Sequence, residues 1–266
     1  MKKNILIVGL GQMGSAIARG LLAKGWATEQ LTAIDPTPQA KGRAEELGIT
    51  YAMRYTHQQA DVVLLAVKPQ LMAEACTPLR QGLQLHTLVV SIAAGLTTKN
   101  LADLLGQQPI VRAMPNTPAA IGEGVTVCVP NKLITPDHQQ LTTQLLSAVG
   151  EVHWLNDESL MNTVTAVSGS GPAYFFLLME ALEEAAVAEG LHPDLARQLV
   201  LKTAAGAGAL AWQQREVRSP ADQRIAVTSP GGTTEAGLDV FNAKEFKNTI
   251  KQVVAAAKKR GQDLAK

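Results

Sequence analysis

The feature that most constrains this chain is a buried-strand pattern running straight into a glycine loop. Ile5-Leu6-Ile7-Val8 is an unbroken aliphatic run, as expected of a strand covered on both faces. Gly9-Leu10-Gly11-Gln12-Met13-Gly14 follows at once, and Ser15 to Lys24 reads as helix. G-x-G-x-x-G has meaning in that setting, between a strand and a helix. Gly9 permits the tight turn, Gly11 lets the backbone approach a pyrophosphate, and Gly14 brings helix and strand close. Free N–H groups at the helix start favour the phosphate charge. The expectation is a Rossmann-type, doubly wound α/β domain that binds a dinucleotide, with Gln12 and Met13 in the same loop.

Later segments extend the pattern. Leu31 to Ile34, Asp61 to Val67, Thr87 to Ser91 and Pro109 to Met114 read as further strands, with helices at Pro38–Leu47 and after Lys68-Pro69. Val125–Val129 and Val152–Leu155 read as the last strands, around a helix over 136–149. Alternating strands and helices predict a parallel sheet with right-handed crossovers. Ligands bind such sheets beyond the carboxyl ends of the strands. That rim would carry Asp35, Ala66-Val67-Lys68-Pro69, Ala93-Ala94-Gly95 and Met114-Pro115-Asn116-Thr117-Pro118. Asp35 stands where a ribose 2′-hydroxyl is held in such units, although Asp before Pro also starts ordinary turns. The stiff Pro-Asn-Thr-Pro turn suits a cofactor amide or a substrate.

Beyond about residue 160 the texture becomes helical to the end. The expected division is 1–158, binding a dinucleotide, and 159–266, an all-α domain for dimerisation and substrate. The Tyr174–Ala188 segment carries its charge on Glu180, Glu183 and Glu184 and is otherwise nearly all apolar. A helix with so narrow a polar stripe is buried on most sides, which predicts a partner subunit against it. Further helices are expected over 193–210, 217–227, after Ser229 and over 244–264. Small residues at 204–209 point to close helix packing there.

Composition excludes more than it assigns. With 24 basic and 23 acidic residues, nothing points to nucleic acid. No run approaches the roughly 20 apolar residues of a membrane span. Cys76 and Cys128 make neither a disulfide framework nor a metal spacing, so no metal is expected. The expectation is a cytoplasmic protein with a small-molecule substrate.

Two glycine-bearing helix starts in the second half, 167–172 and 229–234, offer free N–H groups and hydroxyls suited to a small carboxylate or phosphate. Plain interhelical caps have the same composition. A ketone reductase needs an acid for the developing alkoxide, and Tyr174, His192 and Lys202 do not sit in motifs built for that. A protonated imine needs less help, because its carbon is already electrophilic and positioning supplies much of the rate.

The chain resembles the pyrroline-5-carboxylate reductase family nearly end to end. The resemblance rests on Gly9-Leu10-Gly11-Gln12-Met13-Gly14, Ala66-Val67-Lys68-Pro69-Gln70, Ser91-Ile92-Ala93-Ala94-Gly95 and Val111-Arg112-Ala113-Met114-Pro115-Asn116-Thr117-Pro118. Ser168-Gly169-Ser170-Gly171-Pro172-Ala173-Tyr174 and Ser229-Pro230-Gly231-Gly232-Thr233-Thr234 complete it, and the last three motifs are the diagnostic ones. It implies reduction of 1-pyrroline-5-carboxylate to L-proline, with NADPH or NADH on the N-terminal domain. It also implies an intertwined helical dimer, able to build larger oligomers, whose active site lies between the cofactor and helices of both subunits. By position, Gly232, Thr233 and Thr234 would bind the substrate carboxylate, Thr234 would contact the imine nitrogen, and Val227 would line the pocket. Asp35 departs from the small or neutral residue of many members. Its carboxylate favours NADH, or at least the use of NADH as well as NADPH, with Lys41 and Arg43 near enough in sequence to offset some of its charge.

Two rival readings have different signatures. β-Hydroxyacid dehydrogenases share the first glycine motif but carry a catalytic Lys on the long helix. Here Pro172-Ala173-Tyr174-Phe175-Phe176-Leu177-Leu178 opens that helix, with no lysine before Lys202. A non-catalytic dinucleotide sensor would have no use for two anion-suited turns.

Overall fold

The computed structural model describes residues 3–264. Its first part alternates β1 (Ile5–Val8), α1 (Gln12–Ala23), β2 (Leu31–Ile34), α2 (Pro38–Leu47), β3 (Thr50–Ala52) and β4 (Val62–Leu65). Then come α3 (Met72–Gly82), β5 (Leu88–Ser91), α4 (Thr98–Leu105), β6 (Ile110–Met114), β7 (Gly124–Pro130), α5 (Pro136–Leu146) and β8 (Gly150–Trp154). Eight strands form one sheet in the order β3-β2-β1-β4-β5-β6-β7-β8. The order reverses beside β1, at the loop that carries the glycines.

The aliphatic run of β1 explains the layering. Ile5 and Ile7 enter one core with Ile17, Ala18 and Leu21 of α1, Ala40 and Ala44 of α2, and Leu145 and Leu146 of α5. Leu6 and Val8 enter the other, with Met72, Cys76 and Leu79 of α3 and Leu101 and Leu105 of α4. Successive strand residues point to opposite faces, so four apolar residues in a row require cover on both sides. Burying each contributes roughly 1.5–3 kcal/mol.

Three details differ from the sequence expectation. The sheet is parallel except that β7 runs antiparallel to β6, with Met114 opposite Val127. A parallel pairing needs a crossover of about a dozen residues or more, and the stretch between Met114 and Gly124 holds only a short 3-10 turn, Thr117–Ile121. β3 and α4 were not anticipated. β3 is a three-residue strand beside β2, and α4 is capped by Thr97, whose hydroxyl accepts the Asn100 N–H.

Two compact units emerge, one of residues 1–170 with 256–266, the other of 171–255. The first closes through α6 (Met161–Val164) and a π-helical turn, Thr165–Gly169. The second holds α7 (Gly171–Ala188), α8 (Pro193–Gln213), α9 (Pro220–Ala226), α10 (Thr233–Ala243) and the start of α11 (Phe246–Leu264). α9 is shorter than expected because Ser219 caps it, its hydroxyl accepting the Asp222 N–H just before Pro220. No helix among the described residues is long and apolar enough to cross a membrane.

On α7, Phe175, Phe176 and Leu177 are 65%, 61% and 65% exposed in the single chain. A groove of about 1040 Å³ runs between α7 and α8, lined by Phe176, Met179, Glu183, Val187, Arg197 and Leu201 among others.

Candidate active site

The glycine loop has the geometry its spacing requires. Gly9 has φ +95° and donates its N–H to the Ile34 carbonyl at 2.8 Å. A side chain there would lie 2.8 Å from the Ala66 carbonyl oxygen, and one at Gly14 would run into the Gly9 carbonyl. At Gly11, its chain neighbours apart, nothing among the described residues stands within 4 Å of where a Cβ would be. That open space, beside an α1 N-terminus that no side chain caps, is what a pyrophosphate needs for close approach. Gln12 and Met13 form the first turn of α1.

Asp35 follows β2 and grips this loop. Its Oδ2 accepts the Leu10 N–H at 2.9 Å, while Oδ1 accepts the Thr37 N–H at 2.9 Å and the Thr37 hydroxyl at 2.7 Å. Arg43 donates to the Leu10 carbonyl at 3.0 Å, so both sides of the Leu10 residue are held. Tyr51, on the unanticipated β3, donates its hydroxyl to the Asp35 carbonyl at 2.7 Å. Asp35 is therefore a turn residue and a loop anchor, with spare lone pairs on its carboxylate for a ribose hydroxyl.

Further along the carboxyl rim, a cavity of about 300 Å³ gathers most of the remaining expected residues of the first unit. Met13, Ala66, Val67, Lys68, Pro69, Ala93, Met114, Pro115 and Asn116 line it, joined by Ile92, Ala94, Thr117 and Gly169. The Asn116 side chain accepts the Val125 N–H at 3.0 Å, which fixes its orientation. In the sequence Gly169 reads as part of an anion-suited helix start, not as a wall of the cofactor pocket. A Cβ there would lie 2.5 Å from Met114 Cε, so the π-helical turn and the Met114 side chain meet closely on this wall. The Ser168 hydroxyl on that turn is buried and has no hydrogen-bond partner among the described residues, and Ser170 donates its N–H to the Thr165 carbonyl at 2.8 Å.

In the second unit, Gly232, Thr233 and Thr234 fall on the turn that starts α10, while Val227 closes α9 five residues earlier. Gly231 has φ +72°, a backbone conformation that favours glycine. Its N–H is donated to Glu235 Oε2 at 2.6 Å, and the Gly232 N–H goes to the Ser229 carbonyl at 3.0 Å. Gly232 is the N-cap of α10, which leaves Thr233 and Thr234 in its first turn, both exposed, to offer the leading N–H groups and two hydroxyls. Val227 is 66% exposed. The Glu235 contact was not foreseen, although a Glu three residues beyond a helix cap is a recognisable sequence signal. His192 and Lys202 are exposed.

Burial pushes the thiols of Cys76 and Cys128 up to about 12. Neither is a thiolate at neutral pH, so neither serves as a nucleophile.

Comparison with known proteins gives a consistent answer along the chain. Residues 158–264 match the family model described as pyrroline-5-carboxylate reductase dimerisation. Residues 4–95 match the model described as NADP oxidoreductase, coenzyme F420-dependent. The chain is 42% identical over 266 residues to the pyrroline-5-carboxylate reductase of Pseudomonas aeruginosa, covering 98% of this chain and 97% of that one. A solved pyrroline-5-carboxylate reductase from Coxiella burnetii superposes with a TM-score of 0.93 at 35% identity, covering 100% of both chains. The Plasmodium falciparum pyrroline carboxylate reductase, solved with NADP bound, gives a TM-score of 0.86 at 28% identity, again covering 100% of both chains.

Proposed function

This chain belongs to the pyrroline-5-carboxylate reductase family, and we infer that it reduces 1-pyrroline-5-carboxylate to L-proline with NAD(P)H. The observation that carries this reading is similarity over 98% of the chain to a relative of that name. The glycine loop and its rim pocket supply the matching cofactor geometry.

A dihydronicotinamide held here would supply a hydride for C5 of the protonated C=N bond, whose nitrogen would then end as the neutral amine of proline. The rest falls to the protein. Gly9, Gly11 and Gly14 give the pyrophosphate close access to the start of α1. Asp35 fixes the loop and offers an acceptor to the ribose. Met13, Ala66, Val67, Lys68, Pro69, Ala93, Met114, Pro115 and Asn116 would line the nicotinamide end. Thr233 and Thr234 direct N–H groups and hydroxyls at the substrate carboxylate, with Gly232 allowing close approach. By this reading the Thr234 hydroxyl would contact the imine nitrogen, and Val227 would line the pocket against the apolar ring.

Residues 159–266 form the functional half that takes substrate and dimerises, through the apolar surface of α7 and its neighbours. Two buried free thiols suit a reducing, cytoplasmic setting. The test is the oxidation of NADH or NADPH by purified protein with pyrroline-5-carboxylate as sole substrate, and proline as the measured product. Turnover of a 2- or 3-oxo acid without turnover of this imine would overturn the assignment.

A further inference from the structure

Arg112 sits in the motif that runs from β6 into the Pro-Asn-Thr-Pro turn, yet the chemistry above gives it no task. It is 4% exposed, and a guanidinium so far out of water needs a partner. That partner is Glu158, whose Oε1 accepts from Arg112 Nη1 at 3.1 Å. The same oxygen accepts the Thr98 N–H at 2.8 Å, and Oε2 accepts the Thr98 hydroxyl at 2.8 Å. One carboxylate therefore joins three segments far apart in sequence.

Each of these segments leads directly to a wall of the rim cavity. Arg112 stands two residues before Met114, where β6 delivers Met114, Pro115, Asn116 and Thr117 to the cavity. Thr98 is the first residue of α4, just after Ile92, Ala93 and Ala94. Glu158 opens the short path through the fully buried Met161 to the π-helical turn that ends on Gly169. The first and third walls touch where they meet, since a methyl on Gly169 would fall 2.5 Å from the flexible end of Met114.

The geometry points to Glu158 as a positioning residue for hydride transfer, holding the three walls of the nicotinamide-end pocket in register with Arg112 and Thr98. This rests on the reductase reading above. A plain staple would matter only for stability. A positioning residue also sets the distance and angle at which the transferred hydrogen is presented, where displacements near 1 Å cost on the order of a hundredfold in rate.

Three measurements on the full-length protein separate these roles. Glu158→Gln keeps the volume and an acceptor for Thr98 but withdraws the charge from Arg112. The expected result is a kcat lower by roughly tenfold to a hundredfold, with a larger primary isotope effect from cofactor deuterated at the transferred position. KM for pyrroline-5-carboxylate should stay within about twofold. The cofactor-free protein should show faster amide hydrogen exchange at 92–98, 112–117 and 158–169 together. Replacing the pair by apolar residues, Arg112→Met with Glu158→Leu, should recover the melting temperature without recovering the isotope effect or kcat.

If Glu158→Gln lowers only the melting temperature, or if the apolar pair restores kcat together with stability, Glu158 is a staple and the proposal fails. Should Glu158→Gln not fold, the apolar pair alone decides by the same criterion. The exchange arm uses neither substrate nor cofactor, so it stands apart from the reductase assignment, which fails only if wild-type protein leaves pyrroline-5-carboxylate unreduced.

Discussion

The Asp35 carboxylate accepts the Leu10 N–H at 2.9 Å, so the residue beyond β2 holds the middle of the glycine loop in place. The same carboxylate is the one expected to meet the cofactor's ribose. A 2′-phosphate brought to it would meet a like charge. Asp35→Ser should weaken both cofactors, because the Leu10 anchor is lost. It should weaken NADH more, moving the ratio of kcat/KM values towards NADPH by roughly tenfold. Paired kinetics with the two cofactors check this, and an unchanged ratio would leave Asp35 with the loop alone.

Thr234→Ala removes one exposed hydroxyl from the first turn of α10. The expected loss in kcat/KM for pyrroline-5-carboxylate corresponds to about 0.5–1.5 kcal/mol, or about 1.5–3 kcal/mol where the hydroxyl meets a charged group. Cofactor affinity, followed by nicotinamide fluorescence, should stay as in the wild type. Loss of cofactor binding with retained substrate affinity would assign the turn to the dinucleotide.

Leu182 on α7 is 49% exposed in the single chain. Leu182→Arg should cost several kcal/mol at an apolar subunit interface and shift the protein towards monomer in size-exclusion chromatography with light scattering. A variant that keeps the wild-type mass and full activity would show that this face is not the contact.

Gly169→Ala tests the rim cavity. The added methyl must displace Met114 Cε, 2.5 Å away, and the flexible end of that side chain has the cavity to move into. KM for the cofactor should rise several-fold, with smaller change in KM for the imine. Equal kinetics would mean that Met114 retreats elsewhere.

Cys76 and Cys128, with thiols pushed up to about 12 by burial, should resist alkylation by iodoacetamide at neutral pH and react only on unfolding. Mass spectrometry of native and denatured samples reads this directly. Labelling of native protein at the denatured rate would place at least one thiol within reach of solvent.

What was legible in the sequence was whatever a local pattern dictates. The run Ile5–Val8 with its glycines announced strand, turn, helix and ligand in one stretch, and the rim residues followed from where the strands end. β3 escaped because Thr50-Tyr51-Ala52 is too short and too mixed to show a period. α4 escaped although the Thr97 cap preceding Leu101, Leu104 and Leu105 was a usable signal. The reversal of β7 was written in the short link from Met114 to Gly124, which leaves no room for a crossover helix. Contacts distant in sequence had no such signature. Nothing in Arg112, Thr98 or Glu158 reveals that one carboxylate serves the other two, and nothing in Leu10 reveals that Asp35 and Arg43 hold it.

The last helix has a consequence for synthesis. Residues 256–264 of α11 belong to the same compact unit as the glycine loop, with Leu264 near Gly95 and Gly261 close to Asn162. They leave the ribosome only after all of 171–255 has emerged. The nascent sheet must therefore wait, with its rim near Gly95 and Asn162 uncovered, while the apolar α7 is already outside the tunnel. Completion of the dinucleotide-binding unit is in this way tied to translation of the helical one, and a chain halted between residues 171 and 255 lacks part of both.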